Sequence, residues 1–366
     1  MDLFLAAFHR EVRERKDMSP SSILTNSNLL RQNVPQFTSI THFGECIDSG
    51  IAQCFIKQSA TTLESLEIRN RGLRFIEGCI YRDDGRPMTY PRLKKLEIVL
   101  SIENRESPIE LRGTELGVIF PALQSLRLHP SRIFNDYALF KSCSTTLIGL
   151  DLELDREIVD ILQRSNPFWS GKDSQLSHIS LRPAYGDRPS MSADDFVRFV
   201  FGLCTPATRA LSLIVDIPHS SIMRVAPECP YAKNLQILDI QECHLSMLQM
   251  LAVIEILPGL TDFSCGFAGI DMQLCQWDGL ALPNYFRRRC YPLSLQLKCW
   301  HVYPVDPPPT GAIALVAITL ATVCPKFTCV QLQGGDIAYM FSELSTGLDK
   351  GIYREHQETV KKLFYI

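Results

Sequence analysis

Arg127, Asp151 and His178, with His129 close behind the arginine, offer a cation, a carboxylate and two imidazoles, the set from which a general acid/base centre is built. Such a centre also needs a nucleophile or a cofactor. The chain has no G-x-S-x-G, P-loop, G-x-G-x-x-G or H-E-x-x-H motif. Its 13 cysteines run from Cys46 to Cys329 without one C-x-x-C pair, so no disulfide framework, zinc knuckle or cofactor is expected. They read as reduced, small hydrophobes. One basic run, Arg287-Arg288-Arg289 after Tyr285 and Phe286, could touch phosphate or RNA. With 37 Lys+Arg against 40 Asp+Glu, however, the net charge of −3 makes a nucleic-acid partner the lesser reading. Isolated histidines are more often polar surface, and no catalytic role is expected.

The elements that carry these side chains come from a repeat. L-x-x-L-x-L occurs at Leu63, Leu93, Leu123, Leu147, Leu176 and Leu235, with looser copies starting at Phe37, Thr208, Leu260, Pro292 and Phe327. These eleven starts recur on average every 29 residues, the length of one strand plus one helical return in a repeat protein. In such a strand the spaced aliphatics turn inward and the intervening residues face the other way. No single unit can bury its apolar face alone, so the units must stack in parallel, and helices wider than strands bend the stack with the sheet inside. The expected fold is α/β, a solenoid with a parallel concave sheet and convex helices.

Proline sits two residues before the repeat start at Pro35, Pro91, Pro121, Pro206, Pro258 and Pro325, where it can end one helix and launch the next strand. Helical spacing marks Asp155 to Leu162, Ser192 to Leu203 and Ser246 to Leu257, and Ser192 with Asp195 resembles a capping box. The apolar run Ala312 to Cys324 is too short to span a bilayer and reads as a buried helix. The organisation expected is an amino-terminal helical cap over 1–36, with Phe4, Leu5, Phe8 and Val12 on one face, then a repeat array over 37–335. A carboxyl-terminal cap over 336–366 follows, with Ile337, Met340, Phe341, Leu344 and Leu348. The first residues, MDLFLAAFHREVRERKD, do not fit a signal peptide, so cytoplasm or nucleus is the expected compartment.

The recurring F/Y-P-x-L-x-x-L-x-L, seen at Tyr90-Pro91 and Phe120-Pro121, resembles leucine-rich-repeat proteins of the ribonuclease-inhibitor-like superfamily, in particular the F-box type abundant in fungi. In that family the repeats capture a substrate, and an F-box recruits a cullin ubiquitin ligase through an adaptor. Residues 1–36 hold no L-P-x-E-[IV]-L stretch, so the resemblance implies substrate capture without a recognisable adaptor element. The repeat consensus also places Asn or Cys three residues after the last strand leucine. Cys243 fits, while Arg71, Ser101, Ser131 and Asp155 stand at the equivalent places and imply a weak side-chain ladder.

The resemblance and the strand pattern together imply a noncatalytic interaction scaffold, with a regulator of a GTPase or another enzyme as the alternative. Its partner surface is expected on the outward strand positions: Glu67, Arg69, Lys95, Glu97, Arg127, His129, Asp151, Glu153, His178 and Arg182, continuing through Asp239, Gln241, Asp262, Gln296 and Lys298. Adjacent strands lie about 4.8 Å apart, so Arg127, Asp151 and His178 should be neighbours. Cross-strand charge pairing alone would also explain the alternation. Reversing charge at Arg127 and Arg182 is expected to weaken partner capture and leave thermal stability nearly unchanged.

Overall fold

The computed structural model describes residues 36–43, 49–69, 72–82, 84–100, 116–129, 145–154, 173–183, 192–269, 294–304 and 324–332, with Ile313, 316–317 and 319–321. Both expected caps, the Asp155 to Leu162 helix, the ladder positions 71, 101, 131 and 155, and the Arg287 run lie outside them.

Inward aliphatics at a fixed phase give eleven strands: β1 Ser39–Phe43, β2 Ser65–Arg69, β3 Lys95–Val99, β4 Ser125–His129, β5 Gly149–Leu154, β6 His178–Pro183, β7 Ala210–Leu213, β8 Ile237–Ser246, β9 Asp262–Gly269, β10 Cys299–Pro304 and β11 Cys329–Leu332. They form one sheet in sequence order, and every neighbouring pair is parallel. This is the α/β solenoid that the repeat requires. Leu63, Leu66 and Ile68, and their equivalents down to Leu235, Leu238 and Ile240, are buried in one continuous core. Six helices are described: α1 Ser49–Gln58, α2 Leu73–Ile80, α3 Leu116–Ile119, α4 Ala193–Gly202, α5 His219–Val225 and α6 Met247–Ile256.

The ends of α4 and α6 follow from their caps. Ser192 accepts from the Asp195 backbone N–H, and Ser246 forms a reciprocal box with Gln249, whose Oε1 accepts from the Ser246 N–H at 2.9 Å. Farther on, Ile313, Val316, Ala317 and Leu320 are helical and buried, in agreement with the reading of the Ala312 run. Among the described residues no helix is long and apolar enough to cross a membrane.

Five of the phased prolines occupy the second position of a turn immediately before a strand. The N–H of Leu93, Leu123, Thr208, Leu260 and Phe327 donates to the carbonyl of Tyr90, Phe120, Thr205, Leu257 and Cys324, closing Tyr90-Pro91-Arg92-Leu93 and its four counterparts. Proline is preset for that position, and the residue before it is buried each time. In the Leu257-Pro258-Gly259-Leu260 turn a Cβ on Gly259 would stand 2.7 Å from the Lys233 carbonyl oxygen, so only glycine lets these two units approach so closely.

A second regularity is made by the backbone alone. The carbonyl just before each strand accepts two N–H groups from the next unit: Thr38 from Glu64 and Ser65, Glu64 from Lys94 and Lys95, Lys94 from Gln124 and Ser125, and so on to Lys298 from Thr328 and Cys329. This forked ladder runs the length of the sheet and joins each unit to the next through the backbone. At the one fitting position, Cys243 does bridge units. Its thiol accepts from the Ile217 N–H at 3.3 Å and donates to the Val215 carbonyl at 3.4 Å.

The tenth unit is out of the expected register. Its inward residues are Leu297, Trp300 and Val302, all fully buried, so the repeat starts at Leu297 and not at Pro292. Trp300 replaces the usual leucine and packs edge-on against Phe267, with ring centroids 5.7 Å apart. Gln296 and Lys298 therefore precede β10, and its outward residues include His301 and Tyr303.

Candidate functional site: the open face of the sheet

Parallel pairing aligns the outward positions into rows. One row crosses every strand, as Thr41, Glu67, Glu97, Arg127, Asp151, Ser180, Ser212, Asp239, Ser264, His301 and Gln331. A second row, nearer the strand starts, contains Lys95, Gly149, His178, Asp262, Cys299 and Cys329. The face changes character along its length: β2 to β6 carry ions of both signs, whereas the two rows on β7 to β11 carry small polar groups, two carboxylates, a histidine and two thiols.

In the amino-terminal half the ions are tied to one another. Glu67 and Glu97 are register partners of like charge, and Arg69 resolves the repulsion by pairing with both, at 2.9 Å to Glu97. Glu97 is only 3% exposed, and Arg127 Nη1 at 3.1 Å and Lys95 Nζ at 3.4 Å join Arg69 around it, the pairing that a buried carboxylate needs. Arg127 continues to Asp151, with Nε 3.1 Å from Oδ2, and Arg182 Nη2 approaches the same oxygen at 3.3 Å. His129, also buried, places Nε2 3.0 Å from the other oxygen of Asp151. Burial alone would raise the Asp151 carboxyl. The hydrogen bond and charge of His129 and the charges of Arg182 and Arg127 outweigh it and hold the group below its ordinary value. Glu153 lies in register with Arg182.

Arg127 and Asp151 are therefore neighbours as expected, but His178 is not the histidine that joins them. The register partner of Asp151 is Ser180; His178 stands two residues earlier, opposite Gly149, with Nδ1 2.6 Å from its own neighbour Ser177 Oγ. A shift of two keeps the face but moves the side chain by nearly 7 Å along the strand. The expectation about charge reversal also changes. A glutamate at 127 would face Glu97 and Asp151, and one at 182 would face Asp151 and Glu153, so neither reversal is neutral for stability. The His129–Asp151 pair lies within the ion lattice, with Ser180 in register beside Asp151.

In the other half, Asp239 accepts from Ser212 Oγ at 3.1 Å through one oxygen, while its Oδ1 is buried with no hydrogen-bond partner among the described residues. Burial pushes its carboxyl above the ordinary value despite Ser212, the Gln241 N–H and the charge of His301. On the next two strands, Asp262 of β9 and Cys299 and His301 of β10 bring a carboxylate oxygen, a sulfur and an imidazole nitrogen within 4.8 Å of one another. Sequence reading missed Cys299 and His301 because it placed the tenth strand five residues too early. The signal was there, as Leu297-x-x-Trp300-x-Val302, with an aromatic in the leucine position. Beyond the sheet, a pocket of about 520 Å³ lies among Asp216, Pro218, His219, His244 and Gln249. Gln249 there is engaged in the α6 cap.

No family model matches the chain, and no curated protein matches it. Among solved structures it is similar to LegL7, a leucine-rich repeat-containing protein of Legionella pneumophila, at 10% identity and a TM-score of 0.45, over 88% of this chain and 94% of that one.

Proposed function

We propose that this chain is a noncatalytic recognition scaffold that captures a protein partner on the open face of β2 to β6. The observation that supports this most is the lattice of Arg69, Lys95, Arg127 and Arg182 with Glu67, Glu97, Asp151 and Glu153, four charges of each sign. Mutual pairing fixes these side chains before any partner arrives, so little rotamer entropy remains to be lost on binding. Balanced charge suits a complementary protein surface and gives no grip on a polyanion. His129 belongs to the lattice through Asp151, and His178 flanks it.

The finer reading follows the resemblance of the F/Y-P-x-L-x-x-L-x-L units to F-box receptors: the captured protein is a substrate presented to a ubiquitin ligase in the cytoplasm or nucleus. Affinity purification with crosslinked-peptide mapping tests both levels. Crosslinks from Lys95 and Lys94 to one protein are the expected result for a scaffold, and cullin adaptor subunits in the same complex would support the ligase reading. A GTPase bound through loops away from β2 to β6 would replace this reading with the regulator alternative. Crosslinks confined to the helical side would overturn the placement of the site.

A further inference from the structure

The carboxyl-terminal half of the same face has a different chemistry. Cys299 and His301 are two apart on β10, so both point outward, while Trp300 between them is buried in the core. Asp262 is the register partner of Cys299 on β9, and Cys329 is its register partner on β11. Oxygen, nitrogen and sulfur from Asp262, His301 and Cys299 converge within 4.8 Å. Bonds of about 2.0–2.3 Å around a tetrahedral zinc ion put ligand atoms about 3.3–3.8 Å apart. Contraction by about an ångström is within the reach of side-chain rotation on a fixed sheet.

From this geometry we propose a binding site for a thiophilic divalent cation of the zinc type, with Asp262, Cys299 and His301 as ligands and the Cys329 thiol as the fourth. Thiolate and imidazole select such an ion over calcium or magnesium, which take oxygen ligands. The surroundings supply what orients a first shell. Thr261 Oγ1 donates to Asp262 Oδ2 at 2.7 Å, leaving the other carboxylate oxygen for the ion. In the row of His301, across the small Ser264, Asp239 holds a buried oxygen with no hydrogen-bond partner among the described residues. When one ring nitrogen of His301 binds the ion, the other N–H can donate to that oxygen, the carboxylate–histidine arrangement that fixes the ring in metal sites. The site thereby gives a partner to a polar atom that has none among the described residues. It also ties β9, β10 and β11 together beyond their backbone ladder.

The test is titration of the reduced, metal-free full chain with cobalt(II), followed by zinc(II) competition, with thermal melts of every variant taken without metal. One cobalt per chain is expected, with a thiolate charge-transfer band that zinc removes. Cys299→Ser should reduce the band by about half, and the double variant Cys299→Ser/Cys329→Ser should abolish it. Cys329→Ser should reduce its intensity by about half, because one of two thiolates is lost. His301→Gln and Asp262→Asn should weaken binding by at least tenfold, and Asp239→Asn by about tenfold as an orienting residue. His301→Gln sits on the outward face and should melt like the parent without metal, which keeps the test sound if a cysteine variant folds poorly. Absence of a stoichiometric band overturns the proposal. So does a band that survives His301→Gln and Asp262→Asn, since the metal would then be bound by other cysteines.

Discussion

Arg127 places Nη1 3.1 Å from Oε1 of Glu97, a carboxylate that is almost fully buried on the outward side of a sheet. The contact makes the partly buried Arg127 a structural member of the face as well as a cation on it. Removing it leaves Glu97 with Arg69 and Lys95 only. Arg127→Gln is expected to lower stability by roughly 1–3 kcal/mol, the range for under-satisfying a buried charged group. Arg182→Gln, which loses one 3.3 Å contact to the half-buried Asp151, should stay within about 1 kcal/mol. Equal melts for the two variants would contradict the asymmetry.

Leu150 lies at the centre of the array, inward on β5 and buried between Leu126 and Ile179. Leu150→Asp puts an unpaired charge there and should destabilise by about 4 kcal/mol or more, unfolding the middle of the sheet. An intact cooperative melt by circular dichroism would refute the register.

Cys243 tests whether side-chain bridges between units matter where they exist. Burial above all pushes its thiol up to about 12, and the Ile217 N–H only partly offsets this, so it acts as a neutral donor and acceptor. Cys243→Ala should cost about 1–2 kcal/mol in denaturant unfolding by orphaning the Ile217 N–H. Cys243→Asn, which can make both bonds, should lose less than the alanine; a larger loss would show that volume dominates.

Two carboxylates in one row should respond to acid in opposite directions. Asp151 titrates below its ordinary 3.8 in the folded chain, so its contribution is present above that pH and is lost as the pH falls through the folded value. Asp151→Asn should therefore destabilise at neutral pH and lose that effect in strong acid. Asp239 titrates above 3.8, so its charged form is a penalty at neutral pH, relieved as the pH falls through the folded value. Asp239→Asn should raise metal-free stability at neutral pH, and the gain should vanish on acidification. Melting temperature against pH for both variants checks the signs.

Much of this architecture was legible in the sequence because it is periodic. Inward Leu63, Leu96 or Leu150 follows from spacing alone, and the turn at Tyr90-Pro91-Arg92-Leu93 from proline at fixed phase. The charged residues of β2 to β5 were assigned to the correct face for the same reason. What periodicity cannot supply is position within the face. His178 has the right type and the wrong row, while His129, buried beside Asp151, is the histidine in contact. Trp300 in place of leucine displaced the tenth strand and hid the Cys299–His301 pair. The forked backbone ladder is invisible in side-chain types altogether.

The most direct test of a recognition role is quantitative capture of the crosslinked partner by the double variant Lys95→Gln/Arg182→Gln, which neutralises two accessible cations on β3 and β6. With a melting temperature within a few degrees of the parent, capture should fall at least tenfold. Undiminished capture by a folded double variant would contradict the claim that the open face of β2 to β6 holds the partner.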